Sequence, residues 1–158
     1  MFNKILVCLD GSTLAEQIIP YATEQALHFH SEVVLFQAIN VPTTMIADAS
    51  AMAPGGAVPV TPTPEEIQEL ENEAETYLEN QAEQMRRKDL QVSCVSQLGV
   101  PAEAIISYAA EDNISLIAMA TNGRSGLSRT VLGSVADEVI RKSNLPILVM
   151  RPSEETSK

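Results

Sequence analysis

Residues 114–135 read I-S-L-I-A-M-A-T-N-G-R-S-G-L-S-R-T-V-L-G-S-V. The run Ile114 to Ala120 is almost wholly apolar, as expected of a strand buried on both faces. A glycine-bearing loop follows it. A helix then starts near Gly133-Ser134 and carries Val135, Val139 and Ile140 at helical spacing up to Lys142. Arg141-Lys142 suits the negative end of its dipole, and Asn144 followed by Pro146 ends it. Ile147 to Met150 is the next apolar run. Strand, loop, helix, strand in this order is the repeating unit of a parallel sheet.

The same alternation runs outward toward the N-terminus. Lys4 to Leu9 (K-I-L-V-C-L) is a buried strand bounded by Asp10-Gly11-Ser12. Thr13-x-x-Glu16 offers a capping box for the next helix. Pro20 falls inside that helix and should kink it. Glu32 to Ile39 is a second strand. Thr63-Pro64-Glu65-Glu66 starts a long helix, with Ile67, Leu70, Ala74, Tyr77, Leu78 and Met85 as its inward stripe. Gln91 to Leu98 alternates more and reads as a strand nearer an edge. Pro101 opens a helix bearing Ile105, Ile106, Ala109 and Ala110. The expected architecture is α/β, with a five-stranded parallel sheet between two helical layers.

At 158 residues the chain fits one domain, expected over residues 1–152. Pro42 to Thr63, rich in Pro, Ala, Gly and Thr, is expected to be a flexible insertion or a partial lid. The polar tail 153–158 is expected to fray.

With 21 acids against 10 bases, the net charge is −11. This argues against nucleic acid and against an anionic membrane surface as partners. Eight of the acids lie between Glu65 and Glu83 and read as a solvated helix face. Cys8 and Cys94 fit neither a disulfide framework nor a zinc spacing. No secretory leader or membrane-spanning run is visible, so the expected location is cytoplasmic.

The chemistry concentrates in the loop from Ala120 to Ser134. Backbone N–H groups in such a loop, and at a helix N-terminus, can point at an anion. The Ser134 hydroxyl can donate to a phosphate, and Arg124 can supply positive charge. Neither a Walker A sequence nor G-x-G-x-x-G is present. Phosphate binding and a structural turn with a capping serine therefore both remain open on these residues alone.

Asp10-Gly11-Ser12 at the end of the first strand, A-x-x-G-x(9)-G-S from Ala120 through Gly123 to Gly133-Ser134, and the closing L-P-I-L-V-M together resemble the universal stress protein family. The resemblance covers nearly the whole chain except the Pro42 to Thr63 insertion and the tail. The family's ATP-binding branch carries G-x-x-G-x(9)-G-[ST], and Ala120 stands here where the first Gly is usual.

The resemblance implies a Rossmann-like sheet in order 3-2-1-4-5, of the kind seen in adenine nucleotide alpha hydrolases. Asp10 would lie near ribose or adenine, and Ala38 would line the adenine pocket. Met119 and Ala120 would border the nucleotide. Gly123, Arg124, Gly133, Ser134 and Val135 would hold or flank the phosphates. The implied ligand is ATP, or else AMP or ADP, with Mg2+ able to enter alongside the nucleotide.

The resemblance also implies a homodimer, paired through the strand Ile147 to Met150, that serves as a regulatory module in stress response. Slow ATP hydrolysis and a dimer with an empty pocket are the alternatives. The enzymatic one lacks a visible general base, because His28 and His30 fall at the opposite edge of the sheet from the loop. The placement agrees with the general rule that ligands of open α/β sheets sit at the carboxyl ends of strands, where the strand order reverses.

Overall fold

The computed structural model describes residues 1–41, 44–45, 59–121 and 132–153. In chain order these form β1 (Lys4–Leu9), α1 (Thr13–Glu16), α2 (Ile19–Phe29), β2 (Glu32–Ile39), β3 (Thr44–Met45), β4 (Pro59–Val60), α3 (Pro64–Arg86), β5 (Val92–Leu98), α4 (Pro101–Glu111), β6 (Leu116–Ala120), α5 (Ser134–Lys142) and β7 (Ile147–Met150). The main sheet is parallel and runs β5-β2-β1-β6-β7. Counted among its own strands this is the order 3-2-1-4-5.

The apolar runs are continuous because both sheet faces are covered. Ile5, Val7, Leu9, Val33 and Leu35 pack against α1, α2 and α3 through Ala15, Ile18, Ala22, Leu78 and Met85. Leu6, Cys8, Val34, Phe36, Ile117 and Met119 face α4 and α5 through Ile105, Ala109, Ala136 and Val139. Phe36, Leu35 and Ile117 are fully buried. Each such side chain contributes about 1.5–3 kcal/mol relative to exposure.

Several local expectations are corrected. Ser12, not Thr13, caps α1: its hydroxyl accepts the Ala15 N–H at 3.1 Å. Pro20 does not kink a continuous helix. The helix stops after Glu16 and restarts at Ile19, which puts Pro20 in the first turn of α2. A first-turn N–H has no partner within its helix, so proline costs nothing there. Along α3, Ala74, Leu78, Ala82 and Met85 are buried, but Leu70 of the expected stripe is 36% exposed.

No element was expected between Pro42 and Thr63, yet Thr44–Met45 pairs antiparallel with Pro59–Val60. The rest of that insertion up to residue 58 lies outside the described residues. Pro152, the last residue of the expected domain, is buried, and Ser153 after it is hydrogen-bonded to Gln17. Residues 154–158 lie outside the described ones. Among the described residues no helix is long and apolar enough to cross a membrane.

Candidate functional site

The strand register builds a floor at the carboxyl side of the sheet. Phe36 of β2 is level with Cys8 of β1, and Cys8 with Met119 of β6. All three point toward α4 and α5. Beyond this row the strands diverge into their loops, and a cavity of about 520 Å³ opens. Its size lies within the ordinary range for small-molecule sites.

Asp10 reaches this cavity from the end of β1, and Ala38 from the end of β2. Met119 and Ala120 come from β6, and Gly133, Ser134 and Val135 from the start of α5. Seven of the nine residues singled out in the sequence thus line one space. The other two, Gly123 and Arg124, lie outside the described residues. Phe36, Pro101 and Ile105 also line the cavity and were missed as site residues. The only signal for them was the helix start at Pro101 and the inward spacing of Ile105. Neither distinguishes a cavity wall from core.

Two ends of the cavity differ in chemistry. The inner wall of Cys8, Phe36, Ile105 and Met119 is apolar and suits a flat aromatic group. The α5 end is polar. Gly133 caps that helix with an extended backbone and no side-chain hydrogen bond. Its carbonyl accepts the Asp137 N–H at 2.9 Å, so the N–H groups of the preceding first-turn residues have no partner within the helix. These groups, at the positive end of the helix dipole, belong to Ser134, Val135 and Ala136, which line the cavity.

Asp10 holds a tight turn. Its Oδ1 accepts the Ser12 backbone N–H at 2.9 Å and the Ser12 hydroxyl at 2.6 Å. Gly11 between them has φ +83°, a left-handed conformation that glycine adopts without a Cβ penalty. Asp10 is the one acidic residue lining the cavity among the described residues. A Mg2+ entering with a nucleotide would be held by phosphate oxygens and water.

Beneath the turn, on the α3 face, the Gln37 Oε1 and Tyr77 hydroxyl atoms are buried and have no hydrogen-bond partner among the described residues. Burial first, then the Glu16 and Asp10 carboxylates, pushes the Tyr77 phenol well above its ordinary range. Burial also pushes the Cys8 thiol up to about 12, so it forms part of an inert wall. His28 and His30 are exposed at the opposite, amino edge. Among the described residues, no group of three or more His, Cys, Asp or Glu side chains is placed to hold a metal ion.

Comparison with known proteins places the fold and the family. The model of the universal stress protein family matches residues 1–151. Universal stress protein YxiE of Bacillus subtilis is 31% identical over 151 residues, covering 96% of this chain and all of the relative. The solved structure of the Methanocaldococcus jannaschii protein MJ0577 superposes with a TM-score of 0.71 at 25% identity, over 98% of this chain and 99% of that one. A universal stress protein solved in complex with cAMP has a TM-score of 0.68 at 17% identity, over 96% of this chain and 98% of that one, and shares the fold. The chain belongs to the universal stress protein family.

Proposed function

We propose that the protein is a cytoplasmic regulatory module that binds an adenine nucleotide, ATP foremost, in the cavity between β1, β2, β6 and α5. The observation that carries this reading is the convergence of Asp10, Ala38, Met119, Ala120, Gly133, Ser134 and Val135 on one space. These residues come from four separate parts of the chain. The apolar inner wall suits the base. The α5 N-terminus and the Ser134 hydroxyl suit phosphate, and Asp10 suits a ribose hydroxyl. The cAMP complex of a family member supports the same ligand class.

The module works as a homodimer through β7. Ile147–Met150 is a half-buried apolar edge strand of the main sheet, and such edges pair readily with a second copy. Heat-released supernatant from the purified protein, read by mass spectrometry, is expected to contain an adenine nucleotide. Its absence, together with no binding of ATP, AMP or adenosine at millimolar concentration, would overturn the reading. Light scattering is expected to report a dimer.

A further inference from the structure

The turn at Asp10 is joined to the far end of β7 by hydrogen bonds that run through α1 and the Gln17 side chain. Asp10 Oδ1 holds Ser12 by two of them. The Ser12 hydroxyl caps α1 at the Ala15 N–H, and Ala15 itself lines the cavity. At the other end of this single helical turn the Gln17 N–H donates to the Leu14 carbonyl at 3.3 Å. The Gln17 side-chain amide then grips the backbone of one residue beyond β7. Its Nε2 donates to the Ser153 carbonyl at 2.9 Å, and its Oε1 accepts the Ser153 N–H at 3.0 Å.

An amide that pairs with both backbone groups of one residue imitates a neighbouring strand. It holds the segment after β7 in register with α1, although the two are 136 positions apart. Pro152, just before it, is buried. A second bond ties β7 to the other lip of the cavity: the Thr121 N–H donates to the Met150 carbonyl at 2.8 Å.

We propose that α1 is a link, clamped by Gln17 to Ser153, that transmits the state of the Asp10 turn to β7 and so couples occupancy of the cavity to the sheet edge. This rests on the nucleotide reading for its ligand, but the link itself exists without one. The clamp lies at the surface, so it opens and closes locally at small cost. A ligand hydroxyl on Asp10 braces the turn, fixes the α1 cap and holds the clamp shut. By reciprocity, whatever fixes residues 147–153 favours the ligand-ready turn. Gln17 and Ser12 are positioning residues in this account.

Amide hydrogen exchange at Ser153, followed by NMR on the full chain, tests it in two arms. Without ligand, Ser12→Ala is expected to speed exchange at Ser153 about five- to ten-fold. Ser12→Thr, which keeps the hydroxyl, should restore the wild-type rate. In a Gln17→Ala background the clamp is already gone, so Ser12→Ala should add nothing further. With saturating AMP, wild type should exchange Ser153 several-fold more slowly. Gln17→Ala should bind AMP several-fold more weakly, by the same factor, and show no slowing.

Unchanged Ser153 exchange in Ser12→Ala overturns the link. AMP binding without any change at Ser153 overturns the coupling and leaves the nucleotide site intact. If AMP does not bind, the site reading fails and the ligand-free arm alone decides the link.

Discussion

Asp10 and Ser12 are bonded twice through one oxygen, since Asp10 Oδ1 accepts both the backbone N–H and the hydroxyl of Ser12. The carboxylate at the cavity rim is therefore also the anchor of the α1 cap. Its second oxygen makes no hydrogen bond among the described residues. Asp10→Ala should then do two things. It should lower stability by about 1 kcal/mol, the scale of a lost cap interaction. It should also weaken ATP and adenosine binding alike, because the contact is with the nucleoside. Urea denaturation and calorimetry on the same variant separate the two effects.

Ser134 stands at the first position of α5 and is exposed on the cavity side. Ser134→Ala removes one hydroxyl donor to an anionic oxygen, worth about 1.5–3 kcal/mol. ATP and AMP should bind about ten- to a hundred-fold more weakly. Adenosine, which lacks phosphate, should bind as before. Equal losses for all three ligands would put the phosphate elsewhere.

The strands were legible because a sheet covered on both faces demands apolar runs, and 5–9, 33–36 and 116–120 are unbroken ones. The α3 start was legible too: Thr63 and Glu66 form the reciprocal cap that their spacing implies, with bonds of 3.2 and 2.7 Å. The α1 cap was not legible, because Ser12 and Thr13 both fit the chemistry. The choice is made by the Asp10 turn and the positive φ of Gly11, which are tertiary facts.

Leu70 is periodic yet exposed for a reason of length. The 23 residues of α3 span about 35 Å, whereas the seven of β5 beneath it span only about 23 Å. The first turns of the helix overrun the sheet. The two-residue strands β3 and β4 are too short to show any period. Of the site, the polar residues and small side chains were legible from motif spacing. Phe36, Pro101 and Ile105 were not, since a cavity wall and a core use the same side chains.

Both thiols should be unreactive in the folded protein. Burial raises Cys8 to about 12, and burial together with the Glu79 carboxylate raises Cys94 to about 12. The thiolate is the reactive form, so labelling by iodoacetamide at pH 8 should be slow in native buffer and fast in denaturant. Rapid native labelling of one cysteine would contradict the packing of its strand.

Lys4 and Asp112 tie the start of β1 to the end of α4 at 2.7 Å, and the Tyr108 hydroxyl donates to the same carboxylate at 2.7 Å. The bond from Lys4, then that from Tyr108, holds the Asp112 carboxyl below its ordinary range. A depressed carboxylate stabilises the fold at pH values above its unfolded pKa, near 3.9, and loses that contribution as pH falls through the folded value. Asp112→Asn should therefore lower Tm at pH 7 and lessen its decline on acidification below about pH 4. Parallel Tm-against-pH curves for the two proteins would rule this pair out as a source of acid sensitivity.

An adenine nucleotide bound in the cavity would lie against Ala38. Calorimetric titration of wild type and Ala38→Phe with ATP, AMP and adenosine, beside circular dichroism, tests this directly. The expected result is wild-type binding of all three at millimolar affinity or better. Ala38→Phe, with its ring in the space meant for the base, should keep the wild-type spectrum and bind none. No wild-type binding of any of them, or equal binding by a folded Ala38→Phe, would contradict the account.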